Sequence, residues 1–297
     1  MGRNGTVCVC TAEYCDTVTR KAPSSGQYVS YVSSEGGLRF YKSTGSLHNY
    51  VKDFPFTTSS SFSLPTTLEL DVTTKYQTIE GFGGGVSDSA GINWKNLTDP
   101  RLMEYLIDSY CGDMGIQYNM LRVPIGGTDF STRGYAYNDL PEDDVTLSNF
   151  TLAYEDYEYK IPMIKACMAA ATAPIHIVSA TWSPPLWMKT NKVFSGHSRL
   201  KKEYLQTYAD YHYKFLEKYA DEGIPVWGIT TTNEPLQASV NYIPPKINNM
   251  GWNLDDLSEY IMHHLGPTLR NDTSSFKDVK IIAGDDLRFT ITLYWNT

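Results

Sequence analysis

From Tyr76 onward the chain repeats one pattern: a short apolar run, a longer amphipathic stretch, then another apolar run. The strand candidates are Thr78–Phe82, Asn119–Val123, Ile175–Ala180, Val226–Thr232 and Val279–Ala283. Between them lie helices. Tyr204, Tyr208, Tyr211, Phe215 and Tyr219 recur at intervals of three or four and stop before Gly223. Thr98-Asp99-Pro100 opens another helix carrying Leu102, Leu106, Ile107 and Tyr110. A third runs from Leu257 through Ile261 to Leu265 and is expected to end at Gly266-Pro267. Strands alternating with helices form a parallel sheet with the helices outside it.

Two architectures satisfy that pattern, a doubly wound sheet and a closed (β/α)8 TIM barrel. A dinucleotide fold should follow its first strand with G-x-G-x-x-G. Here "GFGGGV" puts Val86 at the third glycine position, and no P-loop lysine is present. The polar residues favour the barrel. Asp88, Arg122 with Asp129, Trp182, Asn233 with Glu234, and Asp285 with Asp286 all follow strand candidates. A barrel gathers its chemistry at those C-terminal strand ends. About five strand–helix units are visible where a barrel closes with eight.

Three regions follow: a small Cys-containing segment at 1–26, antiparallel strands within 27–75, and a partial catalytic barrel at 76–297. Alternation at Leu68, Leu70 and Val72 marks the middle region. The balance of 33 acidic against 25 basic residues argues against a nucleic-acid surface, which needs clustered Lys and Arg. No apolar run approaches the roughly 18 residues of a transmembrane segment. Met1 is followed by polar residues, without the apolar stretch of a secretory leader. Four sequons, at Asn4, Asn96, Asn149 and Asn271, nevertheless point to the secretory pathway and are glycosylation candidates. Of the five cysteines, Cys8, Cys10 and Cys15 crowd one stretch without a histidine, which favours disulfides over zinc. Cys111 and Cys167 stand alone in helical contexts, and the odd count leaves one thiol unpaired.

Glu234 carries the sharpest signal. It precedes Pro235, which holds it in extended backbone at the end of a strand, beside Asn233. A capping glutamate is the bland reading of such a residue; the Asn-Glu-Pro triplet at a barrel mouth favours catalysis. Trp182 and Trp187, in "ATWSPPLWMK", suit stacking on a sugar face if exposed and core packing if not. Asp129 follows a glycine pair that permits close backbone approach to a ligand, or it is a turn aspartate. Arg122 ends an apolar strand and is read as holding a carboxylate. His176 reads as a core residue. His263 and His264 are adjacent and share no helix face, so no metal and no cofactor are expected. The absence of G-x-S-x-G removes support for a serine triad. A carboxylic acid, an amide and a stacking indole at one rim form a glycoside-hydrolase constellation, which needs a second carboxylate.

At these residues the chain resembles glycoside hydrolase family 30, in its glucosylceramidase branch. The resemblance rests on "VCVCTAEYCD", "IEGFGGGVSDSA", "GIQYNMLRVPIGGTDFSTRGYAY", "NFTLAYEDYEYKIPMI", "ATWSPPLWMKTN", "VWGITTTNEP" and "LGPTLRNDT", in one order along nearly the whole chain. It implies a barrel with N-terminal β-sandwich strands and retaining hydrolysis of glucosylceramide to glucose and ceramide. It implies Glu234 as acid/base, Asn233 near the sugar 2-hydroxyl, and Asp129 and Trp182 holding glucose. It also implies a Cys10–Cys15 disulfide, a partner for Cys8 upstream of residue 1, lysosomal localisation, and a saposin-type activator at a membrane surface. The family's nucleophile is a second glutamate on the seventh barrel strand, whereas this sequence stops soon after the fifth. The expectation is therefore little glucosidase activity from these 297 residues alone. A non-catalytic sugar- or lipid-binding relative and an assembly partner of a full-length enzyme are the competing readings.

Overall fold

Five apolar runs become five parallel strands. In the computed structural model, which describes residues 10–15, 22–38, 41–47, 71, 73–239 and 246–288, they are β3 (Gly83–Gly85), β4 (Met120–Ile125), β5 (His176–Thr181), β6 (Val226–Thr230) and β7 (Lys280–Ile282). Each pairs only with its sequence neighbours, in the order β3-β4-β5-β6-β7. A doubly wound sheet reverses its strand order at a switch point. This one never reverses, and a sheet winding steadily one way is the progression of a (β/α)8 barrel.

The first strand lies downstream of its expected position at Thr78–Phe82, and its edge explains why. A Cβ added at Gly83 would stand 1.5 Å from the Met120 carbonyl oxygen, so only glycine admits this close approach. The glycine run thus serves strand pairing. At the other end, β4 continues through Pro124, whose carbonyl accepts a hydrogen bond from Lys160 Nζ at 3.3 Å.

The helices are α1 (Asp88–Lys95), α2 (Pro100–Tyr110), α3 (Ile161–Ala170), α4 (Leu205–Asp221), α5 (Pro235–Ser239), α6 (Leu254–Glu259) and α7 (Gly266–Arg270). Ser87 caps α1 by accepting the Ala90 N–H, and Asp99 caps α2 by accepting that of Arg101. On α4, Tyr208, Tyr211, Phe215 and Tyr219 are fully buried, and Gly223 follows in the left-handed conformation. Burying each such side chain contributes roughly 1.5–3 kcal/mol before entropy is counted.

Gly266-Pro267 does not end its helix. A π-turn at Tyr260–Leu265 carries the chain from α6 into α7, the Gly266 N–H reaching back to Ile261 O. The same device precedes α3, where a π-turn at Asp156–Lys160 leads into Ile161-Pro162. A proline lacks the N–H and crowds the carbonyl four residues back. One widened turn before it removes both conflicts without ending the helix.

Cys111 and Cys167 are not alone, as their separation suggested: they form a disulfide with Cα atoms 5.3 Å apart, tying the end of α2 to α3. Cys10 and Cys15 form a second disulfide. Cys8 and Asn4 lie outside the described residues, as do Leu68, Leu70 and Val72. By its contacts the chain divides into two units, Met1–Cys10 with Tyr14–Glu80, and Thr11–Glu13 with Gly81–Thr297. The first contains the antiparallel pair β1 (Gln27–Val32) and β2 (Tyr41–Ser46); the second contains the parallel sheet. Among the described residues no helix is long and apolar enough to cross a membrane.

Candidate active site

The sheet brings together residues far apart in sequence at its C-terminal edge. Arg122 lies in the middle of β4 rather than at its end, and sends Nη2 to Asn233 Oδ1 at 2.8 Å and to Asp285 Oδ2 at 2.6 Å. One guanidinium therefore links the loops after β6 and β7. Its plane also covers the Trp182 ring, with Cζ 4.6 Å from the centroid. Trp182 is only 7% exposed, so the open indole expected from its prolines is instead largely covered. Trp187 belongs to the core: its indole N–H donates to Asn138 O at 3.1 Å, and its ring meets Tyr204 edge-on.

Glu234 follows β6 with φ at +42°, a left-handed conformation that a glutamate adopts only when held there. The extended backbone expected before Pro235 is thus not what the chain adopts. The holding groups are visible. Its own N–H donates to Asp285 O at 2.8 Å, and the preceding Asn233 N–H donates to Thr181 O at 2.8 Å. Gln237, one turn along α5, donates from Nε2 to Glu234 Oε2 at 2.6 Å. That leaves the other carboxyl oxygen for a ligand.

Burial raises the Glu234 pKa above the ordinary glutamate value, and the carboxylates of Asp286, Asp129 and Asp285 raise it further. Arg122 pulls in the opposite direction. A half-buried carboxyl biased toward its protonated form can retain a proton in mildly acidic solution and deliver it to a leaving group. This is the chemistry the rim offers.

Asp129 is exposed on the loop after β4. The glycine pair before it has a packing reason of its own: a Cβ on Gly127 would meet the Tyr135 ring at 2.8 Å. The loop is anchored from below. Ser131 Oγ donates to Asp88 Oδ2 at 2.6 Å and accepts from the Thr128 N–H, while Tyr135 OH donates to the same Asp88 oxygen at 3.0 Å. Beneath it, Asp156 accepts from Tyr137, Tyr219 and Lys160, the last at 2.7 Å, and Lys160 also lies 3.9 Å from Asp88. Burial raises the Asp88 pKa while Lys160 opposes the shift.

His176 stacks on Trp227, with centroids 5.0 Å apart. No group of three metal-ligating side chains occurs among the described residues. Asn96, Asn149 and Asn271 are all exposed. Gln237, and the Lys160 and Asp156 that partner Asp88, went unread in the sequence as parts of this site. Only the three-residue spacing of Glu234 and Gln237 could have signalled the former.

A singly wound parallel sheet with an acid, an amide and a guanidinium at its C-terminal edge defines a TIM-barrel domain of the glycoside-hydrolase kind. The glycosyl hydrolase family 30 TIM-barrel domain matches residues 79–297, and the chain belongs to that family. A Caenorhabditis elegans protein named for glucosylceramidase is 35% identical over 300 residues, covering 99% of this chain and 54% of that relative. Mouse lysosomal acid glucosylceramidase is 34% identical over 295 residues, with 98% and 54% covered. The crystal structure of SrfJ from Salmonella typhimurium superposes with a TM-score of 0.67 at 23% identity, covering 74% of this chain and 47% of that one; it supports the fold alone. The chain spans about half the length of the curated relatives it matches.

Proposed function

We propose that the protein carrying this chain is a retaining β-glucosidase that cleaves glucosylceramide into glucose and ceramide, with Glu234 as its acid/base. The observation that carries this reading is the placement of Glu234: a strand-end carboxyl with raised proton affinity, fixed by Asp285 and Gln237. Protonated Glu234 donates to the ceramide oxygen as the glycosidic bond breaks. The resulting carboxylate then takes a proton from water, which attacks the glucosyl-enzyme. Asn233, oriented by Arg122, faces the sugar 2-hydroxyl, and Asp129 with Trp182 holds the glucose.

The attacking carboxylate is assigned to neither neighbouring aspartate. Asp285 is engaged by Arg122, and the two oxygens of Asp286 accept backbone N–H groups of Leu236 and Leu287. The nucleophile is expected on a seventh strand, as the family resemblance implies. The strands within 27–75 are assigned to a β-sandwich. Two disulfides and three exposed sequons fit passage through an oxidising compartment toward the lysosome, where a saposin-type activator would present the lipid at a membrane surface.

The test is release of glucose from glucosylceramide in detergent or acidic vesicles, compared with release from a β-glucan oligosaccharide. Turnover of the glycolipid, lost in Glu234→Gln, is the expected result. Turnover of the glucan alone would redirect the substrate assignment, and sugar binding with no turnover of either would replace the enzyme by a lectin-like relative.

A further inference from the structure

Asp286 has two connections to Glu234, one through the backbone and one through space. After β7 the chain turns at Gly284, in the left-handed conformation, and the Asp286 N–H donates to Gly284 O at 2.8 Å. That tight turn aims the Asp286 side chain at α5, where Oδ2 accepts the Leu236 N–H at 3.1 Å. Leu236 lies two residues after Glu234, in the first turn of α5, where backbone N–H groups lack intrahelical acceptors. Asp285 of the same turn accepts the Glu234 N–H. The two aspartates therefore divide the work. Asp285 gives its carboxylate to Arg122, and Asp286 braces the helix that begins at the catalytic position.

We propose that Asp286 is a positioning residue for Glu234, holding its left-handed turn through Leu236 and setting a fixed negative charge beside its carboxyl. This rests on the acid/base reading of Glu234 but concerns a different residue. The charged groups that act on Glu234 are Arg122 and Asp129 from β4 and its loop and Asp285 and Asp286 from the loop after β7, and Gln237 of α5 donates to its carboxyl. Of the charges, Asp286 raises the Glu234 proton affinity most, ahead of Asp129 and Asp285. The consequence is chemical. An acid/base must recover its proton between catalytic cycles, and a nearby carboxylate not neutralised by arginine favours that recovery at mildly acidic pH.

The experiment is a carbon-13 NMR titration of the Glu234 carboxyl, assigned by its loss in Glu234→Gln, in the wild-type chain and in Asp286→Asn. Asparagine retains an oxygen for the Leu236 N–H and removes the charge. The Glu234 midpoint should move down in Asp286→Asn; an unchanged midpoint in a folded variant overturns the proposal. Should that variant fail to fold, the wild-type Leu236 amide proton decides. The Asp286 carboxylate should protect it from hydrogen exchange, and exchange at the free-amide rate overturns the brace. Neither readout depends on hydrolysis. Absence of hydrolysis in the protein carrying this chain, with these readouts intact, would sink the glucosidase reading and leave the Asp286 assignment standing.

Discussion

The guanidinium of Arg122 meets the carboxylate of Asp285 at 2.6 Å, joining β4 to the loop after β7 across 163 residues of sequence. The same nitrogen holds Asn233, so one side chain of β4 registers the loops after β6 and β7 against each other. Arg122→Lys retains the charge but not the planar fork that serves two acceptors and sits over the Trp182 ring. On the proposed function, this variant loses roughly tenfold in kcat, and Arg122→Met about a hundredfold, because small misplacements of the acid are costly. Steady-state kinetics on a β-glucoside check both. Wild-type kcat in Arg122→Met would detach this ion pair from catalysis.

The buried Lys160 carries a stability prediction. It compensates Asp156 at 2.7 Å and lies 3.9 Å from Asp88, all three being essentially inaccessible to solvent. Lys160→Met leaves two interior carboxyl groups without their cation. The expected cost is about 3–5 kcal/mol, read as a shifted urea midpoint. A loss below about 1 kcal/mol would indicate that water reaches the cluster.

Cys111 and Cys167 should be oxidised in purified protein, detectable as a mass increase on reduction and as a cross-linked peptide pair after digestion. With a sequence separation of 56 residues, closing this loop stabilises the fold by about 4 kcal/mol in the chain-entropy account. The Cys111→Ala, Cys167→Ala double variant should melt correspondingly lower. Free thiols titrating in the native protein would contradict the pairing.

Glu234→Gln should separate stability from function through pH. The fold raises the Glu234 pKa, so its favourable contribution is complete below the unfolded-state value and is lost as pH rises through the folded-state value. Glutamine does not titrate. The variant should match wild type near the ordinary glutamate pKa and become more stable than wild type toward neutrality. Thermal melts over that pH range check the sign; a stability advantage confined to acid would reverse it.

The strand–helix alternation and the Asn233-Glu234 rim were legible because each is written within a few consecutive residues. Tyr208, Tyr211, Phe215 and Tyr219 likewise announce their face by spacing. The misplaced first strand has a local cause: "TIEGF" has strand composition, whereas Gly83–Gly85 pairs because bare backbone fits against Met120. Gly266-Pro267 resembled a stop because spacing alone does not reveal a π-turn. The Lys160 cluster was hidden for another reason. Nothing in the spacing of "AYEDYEYK" announces that the topology places Asp88 and the tyrosines around Lys160. Disulfide partners are equally a property of topology, which is why Cys111 and Cys167 looked solitary.

The central claim is that Glu234 supplies and recovers the proton. It is tested most directly by comparing wild type and Glu234→Ala, in the protein carrying this chain, on β-glucosides of graded leaving-group basicity. The account predicts a loss of roughly 10²–10⁴-fold for a poor leaving group such as an alkoxide. For a dinitrophenolate, which departs without protonation, the first step should be nearly intact, and added azide should restore turnover with formation of β-glucosyl azide. An equal loss on every substrate without azide rescue, or no loss at all, would contradict it.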